Sequence, residues 1–319
     1  MIGLAELGAV AGAVLAVVAW AAVVAFAPRD ALGGLHLTAR RRLWVGRAWL
    51  LAPLWAPVVV LAAASLPGLL GVVSAALDHC GAHAHAHHHH LCWLHPPHAS
   101  GHVAAWLVPA LVGVPAALLL GAELRRMLRA ARLAAGVVAF GRIGALGADV
   151  RVLDEARPLA LAVGWRRPVV LVSEGLIAAL DAATLAVVVA HERAHVARGD
   201  TRWAAVEQMA ARLLPRFVGA PLVARIQLAR EQVCDDAAAA QVGSRVEVAR
   251  ALTRVARLGL APGGVSIAGA ALEARVTGLL DPPQPRRPVA PLLVLFGLVL
   301  AGIGPLHAAV EYGITALLH

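Results

Sequence analysis

The sequence predicts an α-helical membrane protein with four transmembrane helices and one α+β domain on the cytoplasmic side. Three observations carry that prediction: apolar runs of spanning length, an uneven placement of arginine, and a long segment between the last two runs that mixes short strands with helices. Hydrophobic residues make up 60% of the chain and mean hydropathy is +0.75, far above a soluble domain. Residues 2–27, 48–73, 103–121 and 289–309 each come near the roughly 20 residues that a spanning helix needs. The first run lacks a basic leader and a small-residue cleavage site, so it is expected to stay in the mature protein. Pro53, Pro57 and Pro67 should kink the second.

The net charge is +9 and lysine is absent, so all 28 basic residues are arginine. Five lie between Arg29 and Arg47 and the other 23 between Arg125 and Arg287. The excess of positive charge on cytoplasmic loops explains this pattern better than nucleic-acid binding does. It places the loop 28–47 and the segment 122–288 in the cytoplasm. The amino terminus, the loop 78–102 and the tail of 289–319 then lie outside, in a multi-pass protein of the cell membrane whose basic faces meet anionic headgroups rather than nucleic acid. Cys80 and Cys92 share the outer loop and could pair, whereas Cys234 should remain a reduced thiol.

Within 122–288 the first stretch puts Leu124, Met127, Leu128 and Ala131 on one helical face and Arg125, Arg126, Arg129 and Arg132 around the other, as in a helix near headgroups. Three β-like runs follow at 150–153, 159–163 and 169–173, punctuated by Gly164 and Pro168. The last is expected to be a sheet edge that holds a peptide extended. Asp181 should cap a helix that runs on through His191 and His195. Its apolar approach is too short to span a bilayer, so this helix belongs to the domain core. Further helices are expected at 201–214, 222–241, 244–258 and 270–280, separated by Pro215, Gly243 and the glycine-proline stretch at 261–264.

The segment His191-Glu192-Arg193-Ala194-His195 places two imidazoles at i and i+4, on one helical face, where both can grip a single Zn²⁺ with Glu192 aimed at the open coordination position. A catalytic zinc needs a third protein ligand. Glu231 and Asp235 are again four apart, so one helix face presents a carboxylate to zinc and another to a ligating histidine's free N–H.

Together with the run Ala190 to Asp200, the Glu231-Gln232-Val233-Cys234-Asp235 segment and the stretch Arg167 to Leu176, this pattern resembles the integral-membrane zinc peptidases of the BlaR/MecR antirepressor type, over nearly the whole chain. The resemblance implies a zincin-like domain of the gluzincin type (HExxH plus ExxxD). In it His191, His195 and Glu231 bind one catalytic Zn²⁺, Glu192 is the general base and Asp235 orients His191. Asp200 is given only the closing of the site helix. Well-known members carry a penicillin-binding sensor after the fourth span; only about ten residues follow here, so β-lactam sensing of that kind is not expected. Arg193 departs from the uncharged residue of general zinc-peptidase patterns, though the receptor family accepts it.

The expected activity is hydrolysis of peptide bonds in a cytoplasmic protein, in family terms a BlaI-type winged-helix repressor or another regulator. The alternatives are an HtpX/CaaX-like membrane quality-control protease and a metal-binding membrane sensor. With Tyr312 on the far side, elimination leaves a backbone N–H or an arginine such as Arg245 to stabilise the oxyanion. The outer loop holds ten histidines between His79 and His102; His83, His85, His87, His88, His89 and His90 could gather additional Zn²⁺, Ni²⁺ or Cu²⁺.

Overall fold

The computed structural model describes residues 37–51, 103–212, 214–258 and 265–282. The chain divides into two units, one of residues 1–35, 51–120 and 287–319, the other of 36–50 and 121–286. The site lies wholly within the second. The predicted spans 2–27 and 289–309, most of 48–73, the histidine-rich loop with its six candidate ligands, Cys80, Cys92 and Tyr312 lie outside the described residues. Among the described residues no helix is long and apolar enough to cross a membrane. The predicted third span falls in the first half of a continuous helix, α2 (Val103–Phe140), whose side chains over 103–113 are outside the described set.

The second unit begins with α1 (Ala39–Leu50), which turns Ala39, Leu43, Arg47 and Leu50 inward at the i, i+4, i+8, i+11 spacing of a one-sided helix. After α2 come four short strands, β1 (Arg142–Ile143), β2 (Val150–Leu153), β3 (Ala160–Val163) and β4 (Val169–Ser173), in the spatial order β1-β2-β4-β3. β2 runs parallel to β4, and the other two pairs are antiparallel. This corrects the expected role of residues 169–173. β4 is bonded on both sides, with Val170 opposite both Val150 and Ala162, and four of its five residues are buried. Its valine-rich run without alternation fits a strand buried on both faces. β3, half-buried throughout, is an edge instead.

Ser173 ends β4 and caps α3 (Glu174–Ala179) by accepting from the Leu176 N–H at 3.1 Å. Asp181 caps α4 (Ala182–Arg198), accepting from Thr184 N at 2.8 Å, as its position before the apolar run implies. α5 (Asp200–Arg212), α6 (Arg216–Val242), α7 (Arg245–Arg257) and α8 (Val265–Leu280) complete the unit. Pro221 sits inside α6 without ending it, where it withholds one backbone donor from the ladder.

α4 is the central element. Leu185 and Val189 pack on Val150, Val170, Val172 and Leu176 of the sheet side, while Val187 and Ala190 join Ala238 of α6, Val248 of α7 and Leu279 of α8. His191 continues the stripe begun by Val187, one turn on, and so faces α6. α1 lies close against α6: a Cβ built on Gly46 would meet Ile226 Cγ1 at 2.8 Å. The unit is therefore discontinuous in sequence, with a segment from before residue 51 packed against helices that follow residue 199.

Candidate metal centre

α4 delivers His191 and His195 to one face, and α6 lies across them with Glu231 and Asp235. The Nε2 atoms of His191 and His195 are 3.2 Å apart, with the rings edge-to-face. Glu231 completes the triangle, with Oε2 at 3.3 Å from His191 Nε2 and Oε1 at 3.5 Å from His195 Nε2. For a tetrahedral zinc with Zn–N near 2.0–2.1 Å, donor atoms are separated by roughly 3.3–3.4 Å, so the two imidazole nitrogens stand about one such edge apart, and each Glu231 oxygen lies at a similar distance from one of them. Two nitrogens and one carboxylate oxygen form a donor set that suits this ion.

Behind each histidine stands a buried carboxylate. Asp235 Oδ1 is 3.0 Å from His191 Nδ1, although the nitrogen is not aligned with it as a hydrogen bond. Asp200 Oδ2 is 3.0 Å from His195 Nδ1. This changes the role given to Asp200, which does more than close a helix. Gly199, at φ 64, takes the left-handed conformation that terminates α4 and turns the chain so that the next side chain folds back onto His195. Such carboxylate partners fix the ring and raise ligand basicity. Asp200 also meets Arg198 Nε at 3.3 Å.

Arg275 of α8 grips Asp235 with two prongs, Nε to Oδ2 at 2.8 Å and Nη2 to Oδ1 at 2.7 Å, and places Nη1 3.1 Å from Glu231 Oε2. This arginine was not singled out in the sequence. The signal was a lone cation in the apolar run of α8, which otherwise carries only Glu273 as a charge. Arg245, the arginine reached by elimination, instead pairs with Asp236 Oδ1 at 2.9 Å and is exposed. Arg193 points away from the donors and anchors α4 to the turn before β2, with Nε 2.7 Å from Asp149 Oδ2 and Nη2 2.9 Å from the Leu146 carbonyl. Glu192 is half-buried and takes part in none of the hydrogen bonds or ion pairs that tie down its neighbours among the described residues, so its carboxylate is available for proton transfer.

Burial opposes charge on His191, but the Asp235 and Glu231 carboxylates outweigh it and raise its pKa from 6.5 to about 9. Burial likewise opposes charge on Glu231, yet His191 and Arg275 hold its pKa down at about 2. Cys234, free and buried between His195 and Asp200, has its thiol pushed up by burial and by the neighbouring carboxylates, so it stays protonated.

Because the folded pKa of His191 lies above its unfolded value, its contribution to the stability of the zinc-free protein is fully present below about pH 6.5. That contribution is lost as pH rises through about 9. Zinc must expel this proton, so apparent zinc affinity should rise about tenfold per pH unit up to about pH 9 and then level off. Chelator competition between pH 6 and 10 checks this, and a flat profile would show that His191 does not carry the proton.

No curated protein and no solved structure matches the chain. Residues 125–258 match the model of peptidase family M48, a span that contains His191, Glu192, His195, Asp200, Glu231 and Asp235, and this similarity supports reading the chain as a zinc-dependent metallopeptidase.

Proposed function

We propose that the chain is a membrane-embedded zinc endopeptidase of the BlaR/MecR antirepressor type that hydrolyses peptide bonds of a cytoplasmic regulator such as a BlaI-type winged-helix repressor. The observation that carries the peptidase reading is the donor triangle of His191, His195 and Glu231, with a free Glu192 beside it. Bound there, a zinc ion supplies Lewis acidity toward a water and a peptide carbonyl. Glu192 takes a proton from the attacking water and returns it to the leaving amine. Asp200 and Asp235 hold the two imidazoles, and Arg275 holds both Asp235 and Glu231.

Among the described residues β3 pairs with β4 alone, so its outer edge offers backbone groups to an extended peptide. A groove of about 380 Å³ lies beside it, lined by Val163 and Trp165, by Met127 and Ala131 of α2, and by Thr201 and Met209 of α5. Glu123, Arg126 and Arg212 also line it, so both apolar and charged groups face a residue lodged there.

The purified full chain should hold about one zinc per molecule apart from any gathered by the histidine-rich loop. Elemental analysis of a deletion of residues 79–102 measures it. The double substitution His191→Ala, Glu231→Ala should empty the site, and stoichiometric zinc in that variant would sink the ligand assignment. Cleavage assays with a winged-helix repressor and with an unfolded membrane protein separate the antirepressor reading from the HtpX/CaaX-like one.

A further inference from the structure

Arg47 stands 153 residues before Asp200 in sequence, yet its side chain is buried directly behind the donor set. It is only 2% exposed. Its Nη2 lies 3.4 Å from Asp200 Oδ1 and its Nε 2.8 Å from Glu207 Oε1. The other oxygen of the same Asp200 carboxylate is the one 3.0 Å from His195 Nδ1. The guanidinium is also stacked on aromatic rings, 4.4 Å from the Trp203 centroid and 5.4 Å from that of Trp44. The two indoles meet edge-to-face at 5.7 Å. Arg230, from α6, closes the network onto the second oxygen of Glu207.

A helix that only needed to pack would place an apolar residue here, as α1 does at Leu43 and Leu50, both fully buried. Buried ion pairs rarely outperform such a replacement in stability. What a planar, multiply bonded guanidinium adds is orientation: it fixes the plane of the carboxylate it holds. Here that carboxylate is the one that fixes the ring of a metal ligand.

We propose that Arg47 is a positioning residue for the metal centre. Through Asp200 it sets the ring of His195, so that the zinc affinity of the His191, His195 and Glu231 trio depends on the docking of α1. This rests on the zinc-site reading above. Arg47 lies outside the residues 125–258 that match the family model, so α1 is a separate part of the chain that the centre recruits.

The test is zinc affinity of the full chain, measured by competition with a chromogenic chelator, for wild type, Arg47→Gln, Asp200→Asn and the double variant. Each single substitution should weaken zinc binding about 10- to 100-fold, as loss of a ligand's supporting group does. If Arg47 acts through Asp200, Arg47→Gln should add less than about threefold in the Asp200→Asn background. Losses that multiply would mean a general structural role and would overturn the proposal. Should Arg47→Gln fail to fold, Arg47→Lys keeps the buried charge but cannot span both carboxylates. It should lose several-fold in zinc affinity while its zinc-free form still unfolds in one cooperative transition, and wild-type affinity in that variant overturns the proposal equally. His191→Ala run in parallel distinguishes the two failures: zinc retained there refutes the site itself, whereas zinc lost there with no effect of Arg47 refutes the positioning role alone.

Discussion

Replacing Glu192 with alanine is expected to remove peptide-bond cleavage while leaving zinc and fold in place. The three donor atoms belong to His191, His195 and Glu231, and Glu192 makes no hydrogen bond or ion pair among the described residues, so nothing structural is lost with its carboxylate. What goes is the group that takes and returns a proton, a contribution of about 10²- to 10⁴-fold in the rate. Hydrolysis of casein or self-cleavage in detergent, with elemental analysis on the same sample, reads both halves of the expectation. A variant as active as wild type would mean that the chain is not a working protease. One that loses its zinc would mean that Glu192 belongs to the ligand set.

The second large effect concerns stability. Arg275→Leu should lower the stability of the zinc-free protein by about 3–5 kcal/mol, because it strips a two-pronged partner from a carboxylate that is 1% exposed. Asp235 would then have only His191, and Glu231 would lose its cation as well. Arg275→Lys is not a conservative change at a forked contact and should recover only part of the loss. Adding Asp235→Asn to Arg275→Leu should restore a good share of it, since the uncompensated buried charge disappears. Thermal and denaturant unfolding followed by tryptophan fluorescence measures all three, and an Arg275→Leu protein as stable as wild type would show that the fork does not hold Asp235.

Much of this centre is legible in local spacing. His191, His195, Glu231 and Asp235 each follow from positions four apart on a helix, and Asp181 announces the start of α4 by the capping chemistry of its side chain. The bounds of β2, β4 and α7 could be read from runs and breakers alone. What could not be read is whatever depends on pairing between distant segments. The interior position of β4 is set by which strands flank it, and a five-residue apolar run is the same in an edge reading until those neighbours are known. Asp200 carries a faint signal, an acidic residue just past a left-handed glycine that returns the chain toward His195. Arg275 carries a fainter one. Arg47 carries none, since a single arginine among four in the loop helix gives no hint that it alone is buried; only the packing of α1 on α6 distinguishes it from Arg40, Arg41 and Arg42.

The discontinuity of the second unit also constrains how the chain can be threaded. α1 and residues 121–286 share one compact body, and buried charges tie Arg47 to Asp200 and Glu207, so both pieces must occupy the same aqueous compartment. Whatever route the chain takes between residues 50 and 121, it must bring both pieces back to the same side. Translation order adds a second consequence. α1 is synthesised before every helix it packs against, and its buried cation has no partner until Asp200 and Glu207 have been made. The network behind the donor set can close only once residues 200–207 have been made, which places its assembly late in the synthesis of the unit.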